Sequence, residues 1–390
     1  MTAAVIVHRF GPYHVARLRA AARHHGLVGV EVSSETREYA WVPVESDGFK
    51  RVTLCENDAS LTPRELGDRL RRTLDEIQPD VVFVNGWSGT IPIAALQWCA
   101  KNRVRAVLMS ESSFHDEPRS AFKEWAKRRI VAGVSAALVG GRTHAEYAAR
   151  LGVPAGNIFL GYDAIDNDYF ARGAAIARAN RDAIRSRLNL PERFFLASNR
   201  FIPKKNLKLL VAAFAEYRKR SGSDAWDLVL LGDGPLRSEL VRQIEDSKLS
   251  NAIHLPGFQQ YDELPNYYGL ASAFVHASTS EQWGLVVNEA MAAGLPVAVS
   301  SACGCAPELV EDGVNGWRFD PHNPGEIAAA LERLANLGPQ AEAFGAAGRR
   351  IVDTFGPRRF SDGFCKAAEA ASPPRYSMFH RMLLRRLAYR

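Results

Sequence analysis

The sequence predicts an α/β protein made of two Rossmann-like domains facing across a cleft. Three observations carry this reading. A chain of 390 residues is long enough for two domains of ordinary size. Short apolar runs alternate with segments of helical period, the rhythm of βαβ units whose parallel strands are covered on both faces. The rhythm also runs twice, with a polar stretch between the two series.

In the first series Ala3–Val7 reads as a strand, and Gly11-Pro12 opens a loop into a helix from about Tyr13 to His24. Leu27–Val32 is the next strand, and a charged helix is expected over Pro63–Ile77. Val81–Val84 and Ala106–Met109 are buried strands on either side of a helix from about Ile91 to Lys101. Ala136–Val139, a helix near Ala145–Leu151, and Ile158–Leu160 follow. Gly161 to Phe170 reads as a linker, and Arg172–Leu190 is polar and helical. The second series consists of Phe194–Ala197, Leu228–Leu231, Ile253–Leu255, Ala273–Val275 and Val297–Val299. This division gives an N-terminal domain over residues 1–170 and a C-terminal domain over 171–356.

The composition, 47% hydrophobic with a net charge of +6, is that of a soluble globular chain. No apolar run approaches the ~20 residues of a membrane span. The first residues read as a strand and not as a signal peptide, so a cytoplasmic location is expected. Cys55, Cys99, Cys303, Cys305 and Cys365 are scattered and odd in number, which fits a reducing compartment. Cys303 and Cys305 are too close together for paired zinc ligands, so no metal site is expected. Basic residues bunch at Lys123–Arg129 and from Arg375 onward. Such runs read either as solvated helix faces or as attraction to phosphates or an anionic membrane. No interleaved aromatic and basic recognition motif occurs, so nucleic acid is not an expected partner.

The most informative stretch is Ser278 to Ser300. It reads as loop, helix, turn and buried strand. Gly284 gives the backbone freedom at the helix start. Leu285, Asn288, Glu289 and Ala292 follow at helical spacing, and Gly294 with Pro296 closes the helix. Backbone N–H groups near Gly284, Leu285 and Val286 form a natural anion site. Glu281 on the loop is placed to bond hydroxyls, and Glu289 to take those of a ribose. Polyol, diphosphate, polyol is the chemistry of a nucleotide-sugar.

Glu281 and Glu289, seven residues between them, followed by Ala290-Met-Ala-Ala-Gly-Leu-Pro-Val297, resemble the donor-site signature of family-four retaining glycosyltransferases of the GT-B fold. Trp283 stands where the family usually carries Phe. The resemblance implies a retaining transferase that moves a sugar from a nucleotide-sugar to a hydroxyl of a glycan, lipid-linked or small-molecule acceptor, in polysaccharide or glycoconjugate synthesis. It implies no cofactor beyond the donor substrate. It also implies that the C-terminal helices, about 357–390, cross back onto the first domain.

Ser198 to Asn206 follows a strand, and its Arg200 and Lys205 match the family residues that bind the donor phosphates and stabilise the leaving group. Gly232 and Gly234, in Leu231-Gly-Asp-Gly-Pro235, resemble the turn beside the nucleotide. Phe258 either lines the base pocket or packs in the core. Cys303 to Pro321 resembles the family's downstream turn, with Gly313 and Gly316 as punctuation, and Gly304 either structural or facing the donor. In the first domain, Gly11 and His14 lie on the loop that in GT-B enzymes reaches donor and acceptor; a surface histidine at a helix start is the other reading of His14. Members often carry a His after another strand, contacting the donor sugar; His115 is the best match, with Glu111 and Asp116 as neighbouring alternatives. Trp87 either stacks on an acceptor sugar or packs.

Asp166-Asn-Asp168 spells the metal-binding Asp-x-Asp of a different glycosyltransferase fold, but here falls in the linker, where Asx turns account for it. The tail from Pro373 carries Tyr376, Phe379, Met382, Leu383 and Leu387 with arginines between them. It either packs on the first domain or lies on an anionic bilayer, at the inner face of a membrane. A non-catalytic sugar-binding GT-B module, or a GT-B epimerase or phosphorylase, is the alternative function. None of Arg200, Lys205, Glu281 and Glu289 is missing, which argues against a degenerate binder, and no lysine stands in a recognisable pyridoxal-phosphate motif.

Overall fold

The computed structural model describes residues 1–34, 48–116, 119–378, 380, 382 and 384. Of the tail, Phe379, Arg381, Leu383 and residues 385–390 lie outside the described residues. The chain divides into two units, residues 1–164 with 356–390, and residues 165–355.

The first unit starts with β1 (Thr2–Val7), α1 (Pro12–Ala21), β2 (Gly26–Ser33) and β3 (Lys50–Cys55). It continues with α2 (Pro63–Ile77), β4 (Val81–Asn85), α3 (Thr90–Asn102), β5 (Arg105–Ser110), α4 (Ala121–Val131), β6 (Ala136–Val139), α5 (Arg142–Leu151) and β7 (Ile158–Leu160). The sheet order is β3-β2-β1-β4-β5-β6-β7, and every pairing is parallel.

β1 shows why both faces are covered. Ala4 and Ile6 enter a cluster with Leu70 and Leu74 of α2 and Ile93 and Leu96 of α3. Ala3, Val5 and Val7 enter another with Leu18 of α1, as the two-residue period of a strand requires. α2 begins where its local chemistry dictates. Thr62 caps it, Pro63 holds its first position, and Glu65 returns a bond of 2.8 Å to the Thr62 amide.

The second unit opens with α6 (Asn167–Ala179) and α7 (Arg181–Leu188), so the polar stretch predicted as helical is two helices. Asp166 is the cap of α6, accepting from the Tyr169 amide at 2.9 Å. The Asp-x-Asp spelling is therefore a helix start.

Then come β8 (Phe194–Ser198), α8 (Leu207–Ser221), β9 (Asp227–Leu231), α9 (Arg237–Asp246), β10 (Ile253–Gly257), α10 (Leu264–Leu270) and β11 (Ala273–His276). α11 (Leu285–Ala292), β12 (Val297–Ser300), α12 (Ala306–Leu309), β13 (Gly316–Phe319), α13 (Pro324–Ala335) and α14 (Gln340–Val352) complete it. The parallel sheet has the order β10-β9-β8-β11-β12-β13. Gly316, read from sequence as turn punctuation, instead starts the edge strand β13. A Cβ there would sit 1.9 Å from the Val297 carbonyl oxygen of β12.

α15 (Pro357–Ala370) belongs to the first unit. Its Phe364 stacks on Phe83 of β4 with ring centres 3.8 Å apart. The tail follows, with Tyr376 and Leu384 buried in the core that also holds Val131.

Candidate functional site

In each sheet the strand order reverses at one point, between β1 and β4 and between β8 and β11. Ligands of open parallel sheets bind outside the carboxyl ends of the strands at such a point. Gly11, Trp87, Arg200, Lys205, Glu281 and Gly284 fall on the loops that leave these strands, whereas His115 follows β5, Gly232 and Gly234 follow β9, and Phe258 follows β10.

In the second unit the loop after β8 carries Asn199, exposed Arg200 and Lys205. The loop after β11 carries Ser278 and Glu281. Lys205 Nζ and Glu281 Oε2 form an ion pair across 76 residues of sequence, with side chains 13% and 14% exposed. Two further groups hold the carboxylate: His276 Nε2 at 3.4 Å and Ser278 Oγ at 3.3 Å. Ser278 Oγ also lies 3.2 Å from His276 Nε2, so the three side chains form one cluster. Burial pushes Glu281 upward, but the His276 bond and the Lys205 charge outweigh it and hold it well below the usual carboxylate range. Burial lowers His276, which stays neutral.

The two loops are tied together by Thr279 N–H to the Lys204 carbonyl at 2.8 Å and Asn206 Nδ2 to the Ala277 carbonyl at 3.1 Å. Gly284 caps α11 with φ 106°, a left-handed conformation that glycine adopts freely. Leu285 and Val286 form the half-exposed first turn, where backbone N–H groups lack intrahelical acceptors.

Several predicted roles change. Gly232 and Gly234 bring a turn close against the Asn199–Phe201 backbone. A Cβ on Gly232 would lie 1.9 Å from the Asn199 carbonyl oxygen. The Gly232 amide bonds the Gly257 carbonyl at 2.9 Å, and the Gly234 amide bonds Asp233 Oδ1 at 2.7 Å. These glycines therefore seat the Arg200 loop. Glu289 is fully buried and accepts the Tyr268 hydroxyl at 2.6 Å, so its carboxylate, expected to face a ribose, is turned into the domain and holds Tyr268. Trp283 is also buried, its Nε1 bonded to Asn288 Oδ1 at 2.9 Å; the larger aromatic is absorbed by the core. Gly304 donates its amide to the Glu281 carbonyl at 2.9 Å and so supports the loop. Phe258 is 38% exposed, which removes the core alternative.

In the first unit, Gly11 caps α1 and its amide donates to His14 Nδ1 at 3.2 Å. Burial, aided by the Arg17 charge, lowers His14 to about 3, so the ring is neutral. Trp87, read as an acceptor platform or a packing residue, is 5% exposed and meets Tyr147 edge-on at 5.9 Å. An indole so covered has no face for a sugar. His115 stands exposed on the loop after β5. That loop is shaped by Asp116, which accepts from the Ser113 amide and hydroxyl, each at 2.6 Å. Among the three alternatives, Asp116 thus builds the loop, Glu111 lies beside buried Asp163, and His115 is presented.

Sequence reasoning missed four residues. His276 ends an apolar strand at its carboxyl end, which was the available signal. Buried Asn199 has neither amide atom hydrogen-bonded, in a loop otherwise well bonded. Arg17 and Asp163, both buried, form a pair at 3.8 Å, with Arg17 Nε bonded to the Ala164 carbonyl at 2.8 Å. Burial and the Glu111 carboxylate raise Asp163. Nothing local in the sequence joins residues so far apart.

Two parallel-sheet Rossmann-like units with loops of this kind at the strand-order reversals define the GT-B class. Solved structures agree on the fold. HepE from Anabaena, in complex with UDP, has a TM-score of 0.74 at 17% identity, covering 95% of this chain and 100% of that one. The family models described as "Glycosyl transferases group 1" and "Glycosyl transferase 4-like domain" match residues 180–351 and 11–160. The chain belongs to the group 1, family 4 glycosyltransferases of the GT-B fold. Curated relatives include the α-D-kanosaminyltransferase of Streptomyces kanamyceticus, 30% identical over 214 residues, which are 54% of each chain. Another is the D-inositol 3-phosphate glycosyltransferase of Streptomyces griseus, 33% identical over 189 residues, 46% of this chain and 40% of that one. The chain therefore spans about half the length of the curated relatives it matches, or less.

Proposed function

We propose that the chain transfers a sugar from a nucleotide-sugar to an acceptor hydroxyl of a carbohydrate, a lipid-linked glycan or a small molecule, with retention at the anomeric carbon. One observation carries the reading: the half-buried Lys205–Glu281 pair at the β8–β11 reversal, on the same loops as Arg200 and the start of α11. In this account Arg200, Lys205 and the first-turn amides of Leu285 and Val286 hold the diphosphate. Phe258 meets the base, and Glu281 accepts from hydroxyls of the sugar. Asn199 offers an amide whose polar atoms a ligand would satisfy.

The bond from the anomeric carbon to the phosphate oxygen breaks as a bond to the acceptor oxygen forms on the same face. The acceptor proton passes to the leaving phosphate oxygen. Charge grows on that oxygen in the transition state, which is where Arg200 and Lys205 act. With these cations taking the phosphate charge, no metal is needed, and treatment with EDTA leaves the rate unchanged in this account.

The test is incubation with UDP-, GDP- and ADP-sugars, scored first by thermal shift and then by NMR of the product's anomeric centre. The expected result is stabilisation by at least one donor and a retained product. No stabilisation by any donor, or an inverted product, overturns the proposal.

A further inference from the structure

We infer that the second unit carries a binding cavity for a neutral oligosaccharide at the amino end of its sheet, away from the β8–β11 reversal. The inference goes beyond sugar transfer and does not rest on it. A cavity of about 560 Å³ lies between Trp317 of β13, the last turn of α13 and the first turns of α14. Its size falls within the ~300–1,000 Å³ of small-molecule sites. Gly313, just before β13, borders it. Every pairing in this sheet is parallel. The amino end of β13 therefore points away from the carboxyl ends that carry Arg200 and Glu281.

The cavity combines an aromatic floor with polar walls. Trp317 is half-buried, and buried Phe344 packs against it with ring centres 5.2 Å apart. Glu332, Arg333, Asn336 and Gln340 line the same space, and the Arg333 guanidinium lies over the indole at 6.0 Å. Among the described residues, the side-chain amides of Asn336 and Gln340 and the indole N–H of Trp317 make no hydrogen bond. Each side-chain amide offers two donors and an acceptor, and the indole offers one donor.

This set matches a sugar better than other ligands. A pyranose presents a face of C–H groups, which suits an aromatic ring, and a rim of hydroxyls that both donate and accept. The amides, the guanidinium and the carboxylate answer that rim. Glu332, 3.7 Å from Arg220, opposes an anionic ligand, and Arg333 opposes a cationic one. A wholly apolar occupant would cover the amides without bonding them.

The experiment is titration calorimetry of the intact chain with maltotriose, cellotriose, α-mannotriose and chitotriose at millimolar concentration. We expect at least one of these trisaccharides to bind. Asn336→Ala with Gln340→Ala should weaken that binding roughly tenfold, the scale of two lost hydrogen bonds. Trp317→Ala should weaken it by about tenfold or more. Arg200→Ala with Lys205→Ala should leave it unchanged, which separates this cavity from the site of sugar transfer. Asn336 and Gln340 are exposed, so the amide variant should melt like the parent. Should Trp317→Ala melt early, the amide variant alone carries the test. Absence of binding by every trisaccharide, or parent-like binding by the folded amide variant, overturns the inference. So does loss of trisaccharide binding in the folded Arg200→Ala, Lys205→Ala chain.

Discussion

At the carboxyl end of β8 the chain gathers Arg200, Lys205 and, from the neighbouring strand, Glu281. At the carboxyl end of β1, the corresponding place in the other sheet, it sets Gly11 and a neutral His14, with Trp87 of the neighbouring loop folded into the core. The sheets share their strand logic, yet the β8–β11 reversal carries Arg200, Lys205 and Glu281, whereas the β1–β4 reversal carries Arg9, Gly11 and His14 beside the buried Trp87. In the first unit Arg17 and Asp163 lie deeper, both buried and 3.8 Å apart. Topology thus offers two equivalent positions, and the side chains set on them differ.

The comparison can be broken from either side, and the largest effect is expected where packing rules. Trp87→Ala should cost about 3–5 kcal/mol of stability, as large-to-small core changes do, read by urea unfolding, while Trp87→Phe should keep most of it. A Trp87→Ala protein that unfolds like the parent but has lost acceptor affinity would restore the platform reading.

Next comes the charged side. Arg200→Ala should cut turnover by roughly 10²–10³, the scale of one lost transition-state contact, with melting unchanged because the side chain is exposed. Lys205→Ala should cut turnover similarly, but it also strips Glu281 of its cation. Adding Glu281→Gln should recover stability without recovering rate. Additive stability losses in that double-mutant cycle would contradict the pairing.

Smaller effects follow from titration. Glu281 is lowered in the fold, so its contribution is present above its ordinary value of 4.5 and is lost as the pH falls below it. The stability gap between parent and Glu281→Gln should therefore close on acidification, measured by thermal melting across pH. His14 is also lowered, from 6.5 to about 3. Between these values the unfolded chain binds the extra proton, so this residue makes stability fall as pH falls from 6.5. His14→Asn should flatten that slope slightly, and an unchanged slope would mean the ring is not desolvated.

The elements legible in the sequence were those whose signal is local. Val81–Asn85 and Ala136–Val139 are unbroken apolar runs, and α2 announces both its cap and its period. The strands β3 and β13 escaped because their apolar pattern is diluted, while the other edges, β7 and β10, kept theirs. Lys50 and Arg51 in one, and Trp317 and Arg318 in the other, dilute the apolar pattern that a doubly covered strand must have. At the site, Arg200, Lys205 and Glu281 were readable from motif and loop position. The inward turn of Glu289 and the burial of Trp87 were not, since both depend on neighbours such as Tyr268 and Tyr147 contributed by other elements.

The account's central claim is that the β8–β11 reversal binds a diphosphate through Arg200 and Lys205. Titration calorimetry of the intact chain with UDP, GDP and ADP tests it most directly. The account predicts binding of at least one nucleotide, weakened roughly tenfold or more by Arg200→Ala with Lys205→Ala, as the loss of charged hydrogen bonds requires, and unchanged by His14→Asn. Parent-like affinity in the folded double variant would contradict it.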